Sequence, residues 1–330
     1  MLSHLMGRQA RGNIPSRWRT FAKYLVLAVA VTAVVLEINY ATHDKERLSL
    51  NEDVRNSLLG GFVRLPDGIT HYELGGPADA PTVVLIHGFS IPEYLWDPTF
   101  GYLVSARFRV LRYDLFGRGY SDRPNLNYDG NLFDRQLIDL LSALKISDRV
   151  HIVGCSMGGS ITVTFAARHP GRIRSVTLIG PGYLSGGRLP FRLREPIIGE
   201  YTMGVSVAPS LPESQREDLY HPERFPEYVE KYRPQMQYKG FRSALLSTLR
   251  HYIVADSSGD YRRLGQTGLP VLLIWGKFDR DVPLAISEKI RTDIPQAEFH
   301  VIEDSAHVPH YEHPEIVNPI ISSFLRTTQK

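Results

Sequence analysis

The sequence predicts an α/β fold: a mostly parallel, doubly wound sheet, a helical cap inserted after one strand, and an N-terminal hydrophobic anchor. Three observations carry this. From Thr82 onward, β-type runs alternate with stretches of helical spacing, the pattern of strands joined by helical crossovers. Thr82-Val83-Val84-Leu85-Ile86 is a continuous β-branched and aliphatic run, as expected of a strand covered on both faces. Finally, Val150 to Val153 drives straight into Gly154-Cys155-Ser156-Met157-Gly158, and a helix-like segment, Ser160 to His169, follows at once. That is strand, sharp turn and helix, with a serine at the apex.

The apolar run Tyr24 to Leu36 reaches membrane-spanning length when extended from Phe21 to Tyr40. Lys23 and Glu37 sit at its ends, where long side chains snorkel, and Trp18, Tyr24 and Tyr40 suit the interfaces. No convincing small-x-small cleavage site follows, since Ala41 has Asn39 two residues before it. Arg8, Arg11, Arg17, Arg19 and Lys23 all precede Glu37, the first acidic residue. Residues 1–41 therefore read as a basic region and single-pass anchor, with the bulk of the chain on the non-cytoplasmic side. A cleaved export signal and an organelle presequence are the competing readings. Residues 42–59 are polar and read as a linker or short amphipathic helix.

The 330 residues are 43% hydrophobic and 22% charged, enough for one large α/β domain with an insertion and unlike a disordered chain. Beyond the N-terminal cluster the charge is nearly balanced, so no basic face suggests nucleic acid. Cys155 is the only cysteine, which excludes an intrachain disulfide and a cysteine-based zinc site.

The core is expected over 60–180 and 269–330. Phe62 to Leu65 and Ile69 to Leu74 flank Pro66-Asp67-Gly68, a hairpin signal. Thr82 to Ile86 ends in His87-Gly88-Phe89-Ser90, and Phe108 to Tyr113 ends in Asp114 to Ser121. Leucines at 137, 140, 141 and 144 mark a helix from Asn131 to Leu144. Further strands are expected at Arg174 to Ile179, Leu269 to Trp275 and Ala297 to Ile302, with helices at Pro283 to Ile294 and Pro314 to Leu325. Between 181 and 268 the alternation stops, and helical spacing with eight prolines reads as the cap. An insertion there would lie over the strand C-termini, where open α/β sheets bind ligands. Leu245, Leu249 and Tyr252 are its candidate lining residues.

From Gly60 on, the chain resembles the α/β-hydrolase superfamily. The matching pieces are His87-Gly88-Phe89-Ser90, Asp114-Leu-Phe-Gly-Arg-Gly-Tyr-Ser121, Gly154-Cys155-Ser156-Met157-Gly158, Gly276 to Pro283 and Ser305-Ala306-His307. The anchor, His-Gly-Phe-Ser, Ser-Met-Gly-Gly and Ile-Trp-Gly-Lys-x-Asp are similar to membrane-bound monoacylglycerol lipases. Ser-Met-Gly-Gly also occurs in the carbon–carbon hydrolases of aromatic degradation.

The chemistry can be argued beside the resemblance. G-x-S-x-G is the nucleophile elbow, whose glycines let strand and helix crowd together beneath an exposed hydroxyl. A serine needs a base, and His307, after the last strand, is placed to reach Ser156. The imidazole needs a carboxylate to set its tautomer. Asp279, just past the strand ending at Trp275-Gly276, is the candidate. Asp281 is its rival, or a cap for the following helix, and Asp304 is too close in sequence to His307. Ser156, Asp279, His307 is the order expected for the resembled fold. Two oxyanion donors are required: Met157 N–H, at the helix start, and Phe89 N–H, from the loop after His87. Asp114 and Ser121 are expected to brace the neighbouring loop, and His310 and His313 to be bystanders.

The expected reaction is acyl transfer from a small-molecule acyl ester, with no metal or organic cofactor called for. A carbon–carbon bond hydrolase is the alternative and would want a polar clamp from Arg188, Arg192 or Arg194. Haloalkane dehalogenases and epoxide hydrolases use an aspartate where this chain has Ser156. A non-catalytic ligand receptor on the same scaffold is the remaining reading.

Overall fold

Helix α1, Ser16–His43, contains neither proline nor glycine, and its stretch from Tyr24 to Leu36 carries no charged residue on any side. Its Arg17–His43 portion is long enough to cross a membrane; an 18-residue stretch within it has a mean hydropathy of 2.1, and none of that stretch is buried by protein. It belongs to the first of two compact units, which divide after Asp44. The structure, a computed structural model, describes residues 16–328; Arg8 and Arg11 of the basic cluster lie outside them.

The second unit begins at Lys45. The stretch expected as a linker is stitched to it from Glu46 on. Leu48 N–H donates to Gln237 O and Leu48 O accepts from Lys239 N–H, both at 2.9 Å. The Glu46 carboxylate accepts from the N–H groups of Gly240 and Arg242 at 2.7 Å, donors that a helix start leaves free. A short helix, Glu52–Asn56, is capped by Asn51 and tied down by Arg55 on Asp122 at 2.5 Å. These partners lie far along the chain, so the local polarity gave no sign of them.

The sheet has eight strands: β1 Gly61–Leu65, β2 Gly68–Gly75, β3 Thr82–Ile86, β4 Arg109–Tyr113, β5 Val150–Cys155, β6 Ile173–Ile179, β7 Val271–Gly276 and β8 Glu298–Ile302. Their order is β1-β2-β4-β3-β5-β6-β7-β8. The pairings of β2 with β1 and with β4 are antiparallel, and the others are parallel. The central strands β3, β5 and β7 are buried at every residue, which is why they read as continuous apolar runs. An unpredicted helix, α2 Asp97–Ser105, joins β3 to β4. It buries only Thr99 and Leu103, too narrow a stripe to stand out in sequence.

Helix α3, Gly130–Ala143, follows β4, with Asp129 accepting from two N–H groups of its first turn and Leu137, Leu140 and Leu141 buried. Helix α4, Met157–Arg168, follows β5. After β6 comes the cap, which holds short helices, α5 Phe241–Thr248 and α6 Ser258–Gln266 among them, and among the described residues adds no strand to the sheet. Helix α7, Ile286–Asp293, precedes β8 and α8, Pro314–Thr327, closes the chain. One hydrophobic cluster joins α3, α4 and one sheet face; another joins the opposite face, α2, α8 and cap residues such as Met203, Tyr228 and Phe241. Leu245 and Tyr252, expected at a ligand, are consumed in these clusters instead.

Candidate active site

The site forms where β3, β5, β7 and β8 end. Ser156 follows β5 and precedes α4 with φ 56° and ψ −124°, a strained backbone that a non-glycine residue adopts only when its surroundings enforce it. The enforcement is visible. A Cβ on Gly154 would fall on the Gly158 carbonyl, and one on Gly158 on the carbonyls of Ile86 and His87, so no larger residue fits either position. Gly88 is less tightly confined but adjoins the serine: a Cβ there would lie 3.3 Å from Ser156 Cβ and 3.7 Å from its Oγ. The serine hydroxyl thus stands between the start of α4 and the loop after β3.

That loop is held from behind by His87, which is fully buried. Leu115 N–H donates to His87 Nε2 at 2.9 Å, so the ring proton resides on Nδ1 and is given to Gly88 O at 3.0 Å. Burial above all pushes the His87 pKa down to about 4, keeping the ring neutral. The peptide so polarised is the one whose other end is Phe89 N–H. Among the described residues neither this N–H nor that of Met157, first in α4, has a protein acceptor. Asp114 and Ser121 sit further back. Asp114 binds His71 Nδ1 at 2.8 Å and accepts from Glu93 and Tyr120 N–H, while Ser121 Oγ donates to Asp114 O.

His307 Nδ1 donates to Asp279 Oδ2 at 2.8 Å, leaving Nε2 as the nitrogen not engaged by the carboxylate. Asp279 Oδ1 accepts from Asp281 N–H at 3.0 Å and Val282 N–H at 2.8 Å. Asp279 thus caps the turn after β7, and the helix-capping role considered for Asp281 is not taken up, since the N-cap of the helix that follows is Ala285, with no side-chain cap bond. Gly180, with φ 45°, lies against this pair, and a Cβ there would reach Asp279 Oδ2 and His307 Nδ1. Of the bystander histidines, His310 is buried against Trp96, and His313 contacts Asp304 O.

Ser156 and His307 line one cavity of about 190 Å³ with Phe89, Ile91, Leu95, Leu211, Glu217, Asp218, Asp281 and neighbours. The cap's contribution is the segment 211–218, not Leu245, Leu249 or Tyr252. Arg188, Arg192 and Arg194 are exposed and none lines the cavity. Asp218 is the residue the sequence did not single out. Its backbone carbonyl accepts from His307 N–H at 2.9 Å, and Tyr228 Oη donates to its carboxylate at 3.0 Å. Burial, then the facing Asp281 carboxyl, raise the Asp218 pKa well above the usual carboxylate range despite His307 nearby. Burial also disfavours the His307 cation, yet attraction to Asp279, the bond to it, and the charges of Asp218 and Asp281 outweigh that and raise its pKa to about 9. Cys155, beside Ser156, is fully buried, and burial pushes its thiol up, as for an inert packed residue.

Residues 83–320 match the sequence model of the Alpha/beta hydrolase family. A 2-hydroxy-6-oxononadienedioate/2-hydroxy-6-oxononatrienedioate hydrolase of Cupriavidus pinatubonensis (strain JMP 134 / LMG 1197) is 30% identical over 284 residues, covering 80% of this chain and 94% of that protein. The enol-lactonase from Burkholderia xenovorans LB400 superposes with a TM-score of 0.71 at 24% identity, over 81% of this chain and 100% of its own. A membrane phospholipase A, a bacterial virulence factor, superposes with a TM-score of 0.66 at 24% identity, over 94% of this chain and 99% of its own.

Proposed function

The chain belongs to the alpha/beta hydrolase family, and from that premise we propose that it is a membrane-anchored serine hydrolase of uncharged carboxylic esters with lipid-like acyl chains. The observation that carries the substrate class is the cavity lining. Glu217, Asp218 and Asp281 stand in it, with Ile91, Leu95 and Leu211, and among the described residues that line it none is a lysine or arginine. A carboxylate-bearing substrate would meet the Glu217 and Asp281 side chains and no lysine or arginine to pair with, whereas an aliphatic acyl chain meets apolar side chains.

In the proposed reaction His307 Nε2 accepts the Ser156 proton as Oγ attacks the ester carbonyl. The Phe89 and Met157 N–H groups, already oriented and without other acceptors, receive the oxyanion. Asp279 holds the ring tautomer and stabilises its cation. The alcohol leaves with the proton from Nε2, and a water deprotonated by the same nitrogen releases the acid. Only neutral His307 can begin the cycle. Because its pKa is raised to about 9, kcat/KM should climb with pH through the neutral range and level off near 9, rather than near the ordinary histidine value of about 6.5. Asp218→Asn removes one of the carboxyls that favour the cation, so its kcat/KM profile should shift to lower pH. A profile that levels off near 6.5 in both proteins would show that these carboxyls do not govern the base.

A second reading is favoured by a specific observation: the 30% identity to a hydrolase whose named substrates are dioates. It makes the chain a carbon–carbon bond hydrolase, using the same Ser156, Asp279 and His307. As for the anchor, α1 supports membrane attachment by its length, hydropathy and exposure, and a signal sequence has the same properties. One experiment separates these readings. Membranes from cells expressing the full chain are washed with carbonate, labelled with a fluorophosphonate, and assayed on esters of rising acyl length beside a 2-hydroxy-6-oxo-dienoate. Label retained at Ser156 with ester turnover is expected. Faster turnover of the dienoate would favour the second reading, activity lost to the wash would remove the anchor, and absence of label would remove the serine hydrolase.

A further inference from the structure

Arg118 is fully buried beneath the loop that carries Phe89. Its Nε donates to Phe89 O at 2.7 Å, one terminal nitrogen to Phe116 O at 3.1 Å and the other to Thr248 Oγ1 at 2.9 Å. Those three acceptors are neutral. Its guanidinium carbon lies 5.5 Å from the centre of the Phe89 ring, 5.8 Å from that of Phe133 and 6.0 Å from that of Tyr128. Burial lowers its pKa to about 10, which still leaves it charged at neutral pH. A buried cation without a bonded carboxylate is expensive, and a neutral donor would brace a loop at less expense.

The loop itself shows where that charge acts. Its three consecutive carbonyls are each taken by a side chain: Gly88 O by His87 Nδ1, Phe89 O by Arg118 Nε, and Ser90 O by Gln235 Nε2 at 2.9 Å. Gln235 also accepts from Gly119 N–H at 3.0 Å through its Oε1. Thr248 closes α5 and Gln235 also belongs to the cap, so two of the three restraints lead into the inserted segment.

We propose that Arg118, anchored to the cap through Thr248, is a positioning residue that fixes the Phe89 carbonyl, in the peptide next to the one that carries the Phe89 N–H, and holds a permanent positive charge behind the oxyanion hole. The proposal rests on the reading of Ser156 as nucleophile. Such a charge, in a site of low dielectric, favours the tetrahedral oxyanion over the neutral ester. It therefore acts on the chemical step and leaves ground-state binding nearly unchanged.

The test compares wild type, Arg118→Met, Arg118→Lys and Thr248→Val with a short, water-soluble ester. It also measures inhibition by a trifluoromethyl ketone, which becomes an oxyanion on the serine, and by the matching non-hydrolysable ether. Loss of one preorganised donor costs about a hundredfold or more in kcat, so Arg118→Met should lose about a hundredfold with KM within about twofold. Arg118→Lys, which keeps the charge and loses the fork, and Thr248→Val, which frees one arm, should each lose about tenfold. Ketone affinity should fall in step with kcat, and ether affinity should not move. Unchanged kcat, or equal losses toward ketone and ether, would overturn the proposal. Where circular dichroism shows Arg118→Met unfolded, Thr248→Val and Arg118→Lys decide by the same ratio of ketone to ether affinity. Fluorophosphonate labelling of wild type keeps the two readings apart: no label refutes the nucleophile, while label with unaffected variants refutes Arg118 alone.

Discussion

Ser156→Ala should lower kcat by roughly 10⁶-fold, as removal of the nucleophile does in a serine triad, and leave the fold intact. The Ser156 side chain makes no capping bond in α4, and alanine meets the same strain at φ 56° that serine does, so the variant should melt close to wild type. The hydroxyl removed belongs to the serine that lines one cavity with His307. What survives is the rate given by the remaining N–H donors and by substrate positioning, about 10³- to 10⁴-fold over water. The measurement is steady-state turnover of a short ester, with fluorophosphonate labelling alongside. Retention of more than about 1% of wild-type kcat would place the nucleophile elsewhere.

Asp279→Asn should lower kcat by about 10⁴-fold, and the geometry explains why so small a change does so much. Asp279 Oδ1 is committed to two N–H donors, from Asp281 and Val282. An asparagine would keep its carbonyl oxygen there, which turns its NH₂ toward His307 Nδ1. The ring must then accept at Nδ1 and carry its proton on Nε2, where it can no longer take one from Ser156. The same substitution at Asp281, which faces Asp218 in the cavity and does not bond His307, should cost less than about tenfold. Comparing both variants at several pH values checks this. A crippled Asp281→Asn beside a mild Asp279→Asn would transfer the role to Asp281.

The contrast between these two aspartates marks how far a linear reading reaches. Both follow β7 within three residues of one another, and both are chemically competent. Only the fold of the turn shows that Asp279 points one oxygen at the backbone and the other at His307, 28 positions later. The cap shows the same limit. Its helical spacing was legible, but helical spacing marks any buried face. Leu245 and Tyr252 meet the hydrophobic clusters, while Leu211 and Asp218, on a segment with no strong period, meet the cavity.

By itself the sequence determined what depends on neighbours along the chain. Strands buried on both faces must be continuously apolar, and the hairpin and the serine turn declare themselves through glycine. A helix with a long uncharged stretch is likewise visible at its own residues. Tertiary structure alone decided what depends on partners distant in the chain. It stitched residues 46–59 to the domain, left Arg188, Arg192 and Arg194 at the surface, and set Arg118 between Phe89 and Thr248, 130 positions apart from the latter. The physical reason is that backbone conformation is governed by local sterics and hydrogen bonds. Which charge ends beside which carbonyl is settled only when the sheet, its helices and the cap pack together and every buried polar group must find a partner.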